Sequence, residues 1–304
     1  MAYPTVYINP LTDFGFKYLF GREENKDLLI SFLNALFPEN GKIIDVTFVD
    51  KENVGESKNS RALIYDIHCI TSDEKKFIVE MQNRYQTHFR DRALYYLSAD
   101  IYAQGKKGEN WNYSLTPVYG VFLMNFDWKE FESEQLREDV GLINIRTGKE
   151  FSDRLRMVFI KIPLLTKDEK DCKESLERWL YLFKNMENME RIPSSFTSDP
   201  VFKKLGKIAR VGALTDSQRR AYDQSLKIYR DNYAIAETER NQGIAEGFMR
   251  GRAEGRAEGE EVGRYKEKCA LALKLIEGGA DDNYISILTE LSPEQIADLR
   301  KGLF

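Results

Sequence analysis

The sequence predicts an α/β fold in which a mixed sheet is flanked by helices and followed by an all-helical C-terminal region. Segments with helical spacing and segments typical of strands alternate over the first 190 residues, whereas beyond about residue 195 every periodic segment is helical. From residue 243 to residue 263, glycine recurs at every fourth position. We therefore predict a core over residues 1–190, a helical extension over 191–240, and a tail with a Gly-repeat helix and a terminal helical hairpin over 241–304.

Two helices and three strands open the predicted core. The stretch LTDFGFKYLFG favours a short helix capped by Thr12 or Asp13, and NKDLLISFLNALFPENG favours a second helix that ends at Pro38. The segments KIIDVTFVD, RALIYDIHCIT and KKFIVEMQ favour strands, and the polar turn SDEK joins the last two. These last two strands are therefore expected to pair as a hairpin.

The later segments complete the predicted fold. A helix is predicted over THFRDRALYYLSADIYAQGKKG, opened by Thr87 and closed by Gly105, and a buried strand over TPVYGVFLMNF. The stretch RMVFIKIPLL predicts another strand, and KESLERWLYLFKNM predicts the helix that follows it. Near the C terminus, Ser292 is expected to cap the last helix and Pro293 to begin it.

Composition and charge exclude several classes of protein. Hydrophobic residues make up 42% of the chain, which excludes a mainly disordered protein, and no run of about twenty apolar residues is present to span a bilayer. The N-terminal sequence lacks the features of a secretory signal, and the three cysteines are widely spaced. We therefore expect a cytoplasmic protein. The net charge of −4 argues against a uniformly basic surface, but not against a local one that binds nucleic acid.

Two acidic residues stand in the predicted hairpin. Alternation places Glu80 and Gln82 on one face of their strand, and a hairpin centred on Asp73 sets Asp66 opposite Glu80, with Cβ atoms about 5 Å apart. A slip of one residue sends the two acids to opposite faces, and the sequence leaves that register open. The alternative interpretation is a surface hairpin with one unrelated acid on each strand.

If the two carboxylates converge, their repulsion has to be relieved by a proton or by a cation. Oxygen ligands without histidine or thiolate favour Mg²⁺ or Mn²⁺. Such an ion binds a phosphodiester oxygen and lowers the pKa of an attacking water. Gln82 projects from the same face and would orient that water, although a carboxamide is not a strong base.

These residues resemble a known group of proteins. The order of helix, strand, Asp66, and VEMQ on the hairpin partner resembles the core of the PD-(D/E)XK nuclease superfamily. The stretches TDFGFKYLFG, YDIHC, IVEMQ, FRDRALYYLSADIYAQGKKG and the late AEGRAEG repeat resemble the recombination-promoting nucleases of the Rpn type, often labelled PD-(D/E)XK family transposases. The resemblance covers most of residues 1–265. It implies a restriction-endonuclease-like fold and a Mg²⁺-dependent DNA endonuclease that hydrolyses phosphodiester bonds.

The resemblance also implies roles for particular residues. Asp66 and Glu80 are expected to ligate the catalytic metal, with the backbone carbonyl of Met81 as a further ligand. Gln82 stands where the superfamily name has lysine, which leaves the general base open. Two residues of the N-terminal stretch are expected at the edge of the same site, namely Asp13 and Lys17.

DNA contact is expected from the helix that follows the hairpin. Arg84, Arg90 and Arg92, with Tyr95 and Tyr96 nearby, would present charge and stacking surface to a phosphate backbone. The alternative is that the arginines are solvated helix residues and the tyrosines pack on the sheet.

The glycine repeat leaves two interpretations open. Glycines four residues apart drift by about 40° per repeat around a helix, and each destabilises the helix by about 1 kcal/mol relative to alanine. The tail is therefore either a homodimerisation helix, stabilised by close packing against a second copy, or a frayed end.

Two alternatives to the DNA endonuclease remain at the level of sequence. One is a non-catalytic DNA-binding or assembly protein that keeps the nuclease fold. The other is a nuclease that acts on RNA.

Overall fold

A computed structural model describes residues 5–49, 65–105, 111–126, 128 and 133–302. The chain divides into two units, Met1–Ala234 and Ile235–Phe304. The boundaries near residues 190 and 240 expected from the sequence stay predictions. The start of the strand predicted over 61–71 and the end of the helix predicted over 87–108 lie outside the described residues.

The first unit is built on a six-stranded mixed sheet with the order β1-β2-β3-β4-β6-β5. The central strand β4 pairs in parallel with β3 and β6, and the other neighbours are antiparallel. This arrangement confirms the predicted mixed sheet. The strands are β1 (Val46–Phe48), β2 (Ile67–Thr71), β3 (Lys76–Gln82), β4 (Val118–Met124), β5 (Arg137–Ile143) and β6 (Glu150–Lys161).

Helices cover both faces of the sheet. One face, with Phe77 and Val79, packs against the first, second, fourth and fifth helices in the larger apolar core. The opposite face, with Ile78 and Phe122, packs against the third helix in a smaller core. The helices are α1 (Asp13–Phe20), α2 (Lys26–Leu36), α3 (Phe89–Tyr102), α4 (Ser175–Asn185), α5 (Pro200–Ile208), α6 (Asp216–Glu277), α7 (Asp282–Thr289) and α8 (Pro293–Arg300).

The start of α1 is fixed by local hydrogen bonds. The Thr12 hydroxyl donates to the Asn9 carbonyl at 2.8 Å and accepts from the Gly15 N–H at 3.0 Å. A Cβ at Gly15 would lie 2.1 Å from the Asn9 carbonyl oxygen, so this close approach requires glycine. The apolar side of α1 is buried, and its other side carries Asp13 and Lys17 toward the end of the hairpin.

The start of α3 and the presence of β5 differ from the sequence-based prediction. Helix α3 begins at Phe89 rather than near Thr87, because His88 adopts a left-handed conformation (φ 63°) immediately before it. Strand β5 has no counterpart in the prediction, because most of its side chains are half-exposed or exposed and its sequence, REDVGLI, lacks an alternating apolar face.

The second unit has its own small core. The end of α6 packs against α7 and α8 through Ala272, Ile285 and Ile296. Ser292 caps α8 and Pro293 begins it, as predicted. Helix α6 is continuous through the glycine repeat. Over the described residues, no helix has both the length and the apolar character needed to cross a membrane.

Candidate active site

The hairpin of β2 and β3 determines where the two acids lie. Ile67 pairs with Val79 and His68 with Ile78, a register centred on Asp73. The same register sets Asp66, immediately before β2, level with Glu80 in β3. Thr71 stabilises the turn, since its hydroxyl donates to the Asp73 carboxylate at 2.6 Å. The polar turn therefore holds the alignment of the two acids.

Reciprocal hydrogen bonds join the two acidic residues where the strand pairing ends. The backbone N–H of Asp66 donates to Glu80 Oε1 at 3.1 Å. The backbone N–H of Met81 donates to Asp66 Oδ2 at 2.8 Å. Because each carboxylate accepts a main-chain donor of the facing strand, both side chains are held at the same end of the hairpin.

Glu80 is the more enclosed of the two acids. Its relative exposure is 7%. Burial, together with the negative charge of Asp66, raises the pKa of Glu80 to about 8. The hydrogen bond from the Asp66 N–H and the positive charges of Arg92 and Lys17 oppose this rise without cancelling it. A further positive charge beside Glu80 would therefore be favourable.

The side chain of Lys17 extends from α1 to the carboxylates. Its Nζ lies 3.3 Å from Asp66 Oδ1 and also forms an ion pair with Asp13, one helical turn earlier. Burial lowers the pKa of Lys17, but the hydrogen bond to Asp13 and the charge of Asp66 outweigh it, so the pKa is raised. The Lys17 ammonium is thus a charged neighbour of the acid pair.

Gln82 lies on the face of Glu80 and is bound by Arg92. The guanidinium of Arg92 donates to Gln82 Oε1 and to Gln86 Oε1, each at 2.5 Å. Its plane also lies over the Phe89 ring, 5.1 Å from the centroid. The carbonyl end of the Gln82 amide is therefore engaged, and the amino end is the one that can donate to a bound water or phosphate.

The sequence model of the PD-(D/E)XK nuclease family transposases matches residues 10–239. The chain belongs to this family. Comparison with curated proteins and with solved structures finds no match. Within this PD-(D/E)XK nuclease family transposase, the matched residues include all six strands of the sheet and every site residue described above. The sheet flanked by helices agrees with the restriction-endonuclease-like fold predicted from the sequence.

The three predicted DNA-contacting arginines have different surroundings in this PD-(D/E)XK nuclease family transposase. Arg92 reaches the site through Gln82. Arg84 is exposed before α3, and Arg90 lies over the Trp128 ring at 5.2 Å. Of the two tyrosines predicted nearby, Tyr95 is half-exposed, with 50% relative exposure, and so remains available for stacking.

The donor atoms at the hairpin end suit a hard divalent cation. Asp66 and Glu80 supply carboxylate oxygens, and burial together with repulsion from Asp66 raises the pKa of Glu80, an effect that a bound cation would oppose. Among the described residues, no group of three or more His, Cys, Asp or Glu side chains is arranged to hold a metal ion. A cation here would therefore draw further ligands from backbone, solvent or substrate oxygens.

Sequence reasoning missed one buried polar pair beneath the site. His68 Nε2 lies 2.7 Å from Asp100 Oδ2, and both residues are buried. Asp100 extends the buried side of α3 formed by Ala93 and Leu97, and that spacing is the signal from which the pair was predictable. The pair links α3 to β2, two positions after Asp66.

Proposed function

We propose that this chain is a metal-dependent DNA endonuclease that hydrolyses phosphodiester bonds, of the recombination-promoting, transposase-like type. The observation that carries the proposal is the reciprocal hydrogen bonding of Asp66 and Glu80, which holds two carboxylates at one end of a hairpin. Membership in a nuclease-type transposase family supports it independently.

The same residues define the proposed metal site. Asp66, Glu80 and the backbone carbonyl of Met81 would hold Mg²⁺, with Mn²⁺ as the alternative ion. When bound, such an ion supplies Lewis acidity toward a phosphate oxygen and toward the attacking water. The Met81 N–H already fixes Asp66, so the backbone on either side of this residue contributes to the site.

The other side chains of the site act on substrate and water. Lys17, oriented by Asp13, and Arg92 place positive charge where a phosphodiester approaches the carboxylates. The Gln82 amide, held by Arg92, positions the water. In the reaction the water gives up a proton to solvent as its oxygen bonds to phosphorus, the P–O bond to the leaving strand breaks, and the leaving oxygen takes up a proton from solvent. No covalent enzyme intermediate forms.

The proposed partner is DNA, and the proposed contacts are electrostatic. Arg84 and Arg90 lie at the start of the α3 region, where Arg92 already reaches the site, so the three together would contact the phosphate backbone. We further propose a cytoplasmic location, because three free cysteines suit a reducing compartment.

A homodimer through the Gly-repeat helix is also proposed. The glycines leave that side of α6 without contact, since a Cβ at Gly243, Gly247 or Gly251 would meet no described atom within 4 Å. Close helix approach is what such bare backbone permits. Light scattering of a variant that ends before residue 243 tests this: the full chain is expected to be dimeric and the shortened chain monomeric, and a dimeric shortened chain refutes it.

One observation favours a different function. Because Lys17 already pairs with Asp66, the acid pair is partly neutralised without any metal. This fits a non-catalytic DNA-binding or assembly protein on the nuclease fold.

Nicking of supercoiled plasmid in Mg²⁺ separates the two functions. The wild-type chain is expected to nick, Asp66→Ala to lose activity, and Asp153→Ala, an exposed acid on β6, to retain it. Equal nicking by the wild type and Asp66→Ala would indicate a contaminant and reject the endonuclease. Binding without nicking by both would favour the binding protein.

A further inference from the structure

A groove of about 690 Å³ opens beside Lys17, within the first unit. One wall is formed by α1 and the two residues that follow it, Gly21 and Arg22, and the other by the side of α6 from Ala221 to Asn232. Asn83, which directly follows β3, also lines the groove. The volume falls within the range of about 300–1,000 Å³ typical of sites for one small ligand.

Buried contacts fix the two walls against each other. The Phe14 N–H donates to Ser225 Oγ at 3.0 Å. The Tyr222 hydroxyl accepts from the Asn9 N–H at 2.9 Å, and the Tyr222 ring lies 6.0 Å from that of Phe14. The groove is therefore a formed feature of the fold rather than a gap between loose segments.

Flat aromatic and cationic groups line one wall. The rings of Phe14 and Tyr18 are stacked at 5.4 Å, and the Arg22 guanidinium lies over Tyr18 at 4.9 Å from the ring centroid. Stacked aromatic rings with an arginine are the surface on which proteins hold unpaired bases, because every base has a π face.

Apolar and amide groups line the other wall. Ile228 lines the groove with 54% of its surface exposed. Gln224 and Asn232 add amide groups, which pair with base edges, and the Tyr229 hydroxyl is fixed by a hydrogen bond from Asn125 at 3.1 Å. This combination of flat apolar surface with amides suits a nucleobase better than a bare phosphate.

Lys17 belongs both to the groove and to the acid pair. Its Nζ lies 3.3 Å from Asp66 Oδ1, and Asp66 itself does not line the groove, so Lys17 is the residue that connects the groove to the acid pair. We propose that the groove holds an unpaired nucleotide of the DNA substrate, adjacent to the phosphate at Asp66 and Glu80. The preferred substrate is then a single strand or a locally melted duplex. This inference rests on the proposed function for the identity of the substrate.

Binding without metal tests the groove. Fluorescence anisotropy compares labelled oligothymidine with the same strand annealed to oligoadenosine, using the full chain in EDTA. We expect the single strand to bind more tightly than the duplex. Ile228→Glu, which places a negative charge in the groove, should weaken single-strand binding about tenfold or more, since one base stack contributes about 1–3 kcal/mol.

Two further variants make the test specific. Ile145→Glu is the matched control, because Ile145 is 94% exposed in the turn between β5 and β6 and outside the groove; its binding should stay within about twofold of wild type. Gln224→Glu, nearly isosteric, should weaken single-strand binding in the same direction as Ile228→Glu. Circular dichroism checks that each variant is folded.

Three outcomes would overturn the proposal. Duplex binding equal to or tighter than single-strand binding, or unchanged binding by Ile228→Glu and Gln224→Glu, overturns the proposal. Displacement of the labelled strand by an equal nucleotide concentration of thymidine monophosphate also overturns it, because the groove would then be a site for free nucleotides. A failure of the endonuclease appears separately, as absent plasmid nicking with this binding pattern intact.

Discussion

The backbone N–H of Asp66 donates to the carboxylate of Glu80 at 3.1 Å, although the two residues are 14 positions apart. A carboxylate that accepts a fixed main-chain donor is restricted to few rotamers. The acid pair is therefore organised before any cation or substrate binds.

Magnesium should stabilise the folded protein through the acid pair. At a concentration about 100 times its dissociation constant, a ligand specific to the folded state stabilises it by about 2.7 kcal/mol, which corresponds to several degrees in Tm. The double variant Asp66→Asn with Glu80→Gln should show no such rise, whereas Asp153→Asn should behave as the wild type. Differential scanning calorimetry with Mg²⁺ or EDTA measures this. An equal rise in the double variant would place the metal elsewhere.

Glu80 should make the metal-free protein less stable as pH rises. Its pKa is raised from the model-peptide value of 4.5 to about 8, so between these values the unfolded chain has lost a proton that the folded chain keeps. The contribution of Glu80 to the free energy of unfolding is therefore fully present below about pH 4.5. It falls as pH rises toward about 8 and then levels off. The upper limit of this loss is about 5 kcal/mol.

The Glu80→Gln variant isolates that effect. It should lose less stability than the wild type between pH 5 and pH 8 when both are unfolded with urea in EDTA. Parallel stability curves for the two proteins would contradict the raised pKa. Added Mg²⁺ should flatten the wild-type curve, because a cation favours the ionised carboxylate.

Lys17 should matter to cleavage more than to folding. Lys17→Met removes the ammonium next to Asp66, and we expect plasmid nicking to fall about 10²-fold or more, the size seen when one charge-stabilising donor is lost. Lys26→Met is the matched control, since the Lys26 side chain is 33% exposed against 31% for Lys17 and also pairs with two acids, Glu23 and Asp45. Nicking that is equally reduced in both variants would contradict a specific role.

Two glycine substitutions in helices should have opposite effects. Gly15→Ala places a Cβ 2.1 Å from the Asn9 carbonyl and should destabilise the first unit by about 1–3 kcal/mol or more. Gly243→Ala meets no described atom within 4 Å and should increase helicity, with a gain of up to about 1 kcal/mol. Thermal unfolding followed by circular dichroism measures both. A neutral Gly15→Ala would contradict the close approach of α1 to Asn9.

Local sequence patterns were sufficient to predict the hairpin. Contacts between residues far apart in the sequence were not predictable from such patterns. Alternation in KKFIVEMQ and the polar turn were sufficient to predict the faces of Glu80 and Gln82, because the partner strand is only a few residues away. The family resemblance led us to expect Lys17 at the edge of the site, but its approach to Asp66 spans 49 positions, and the contact of Phe14 with Ser225 spans 211. No sequence periodicity carries that information.

Strand β5 and the start of α3 were unpredictable for local reasons. An edge strand exposed along most of its length needs no apolar face, so Arg137–Ile143 carries no strand signal. The left-handed backbone of His88 is imposed by the turn between β3 and α3, and a histidine gives little indication of it. The register itself, which the sequence left open, is stabilised by Thr71 in the turn.

The ion pair of Lys17 with Asp66 also affects the number of Mg²⁺ ions that the site is expected to bind. When all are ionised, the side chains that meet at the hairpin end comprise three acids, Asp13, Asp66 and Glu80, and two bases, Lys17 and Arg92, which leaves one excess negative charge. A single divalent ion reverses that excess to one positive charge, the complement of one phosphodiester. A second ion would leave a larger excess of positive charge than one phosphodiester balances. Titration calorimetry should therefore find one equivalent of Mg²⁺ per chain.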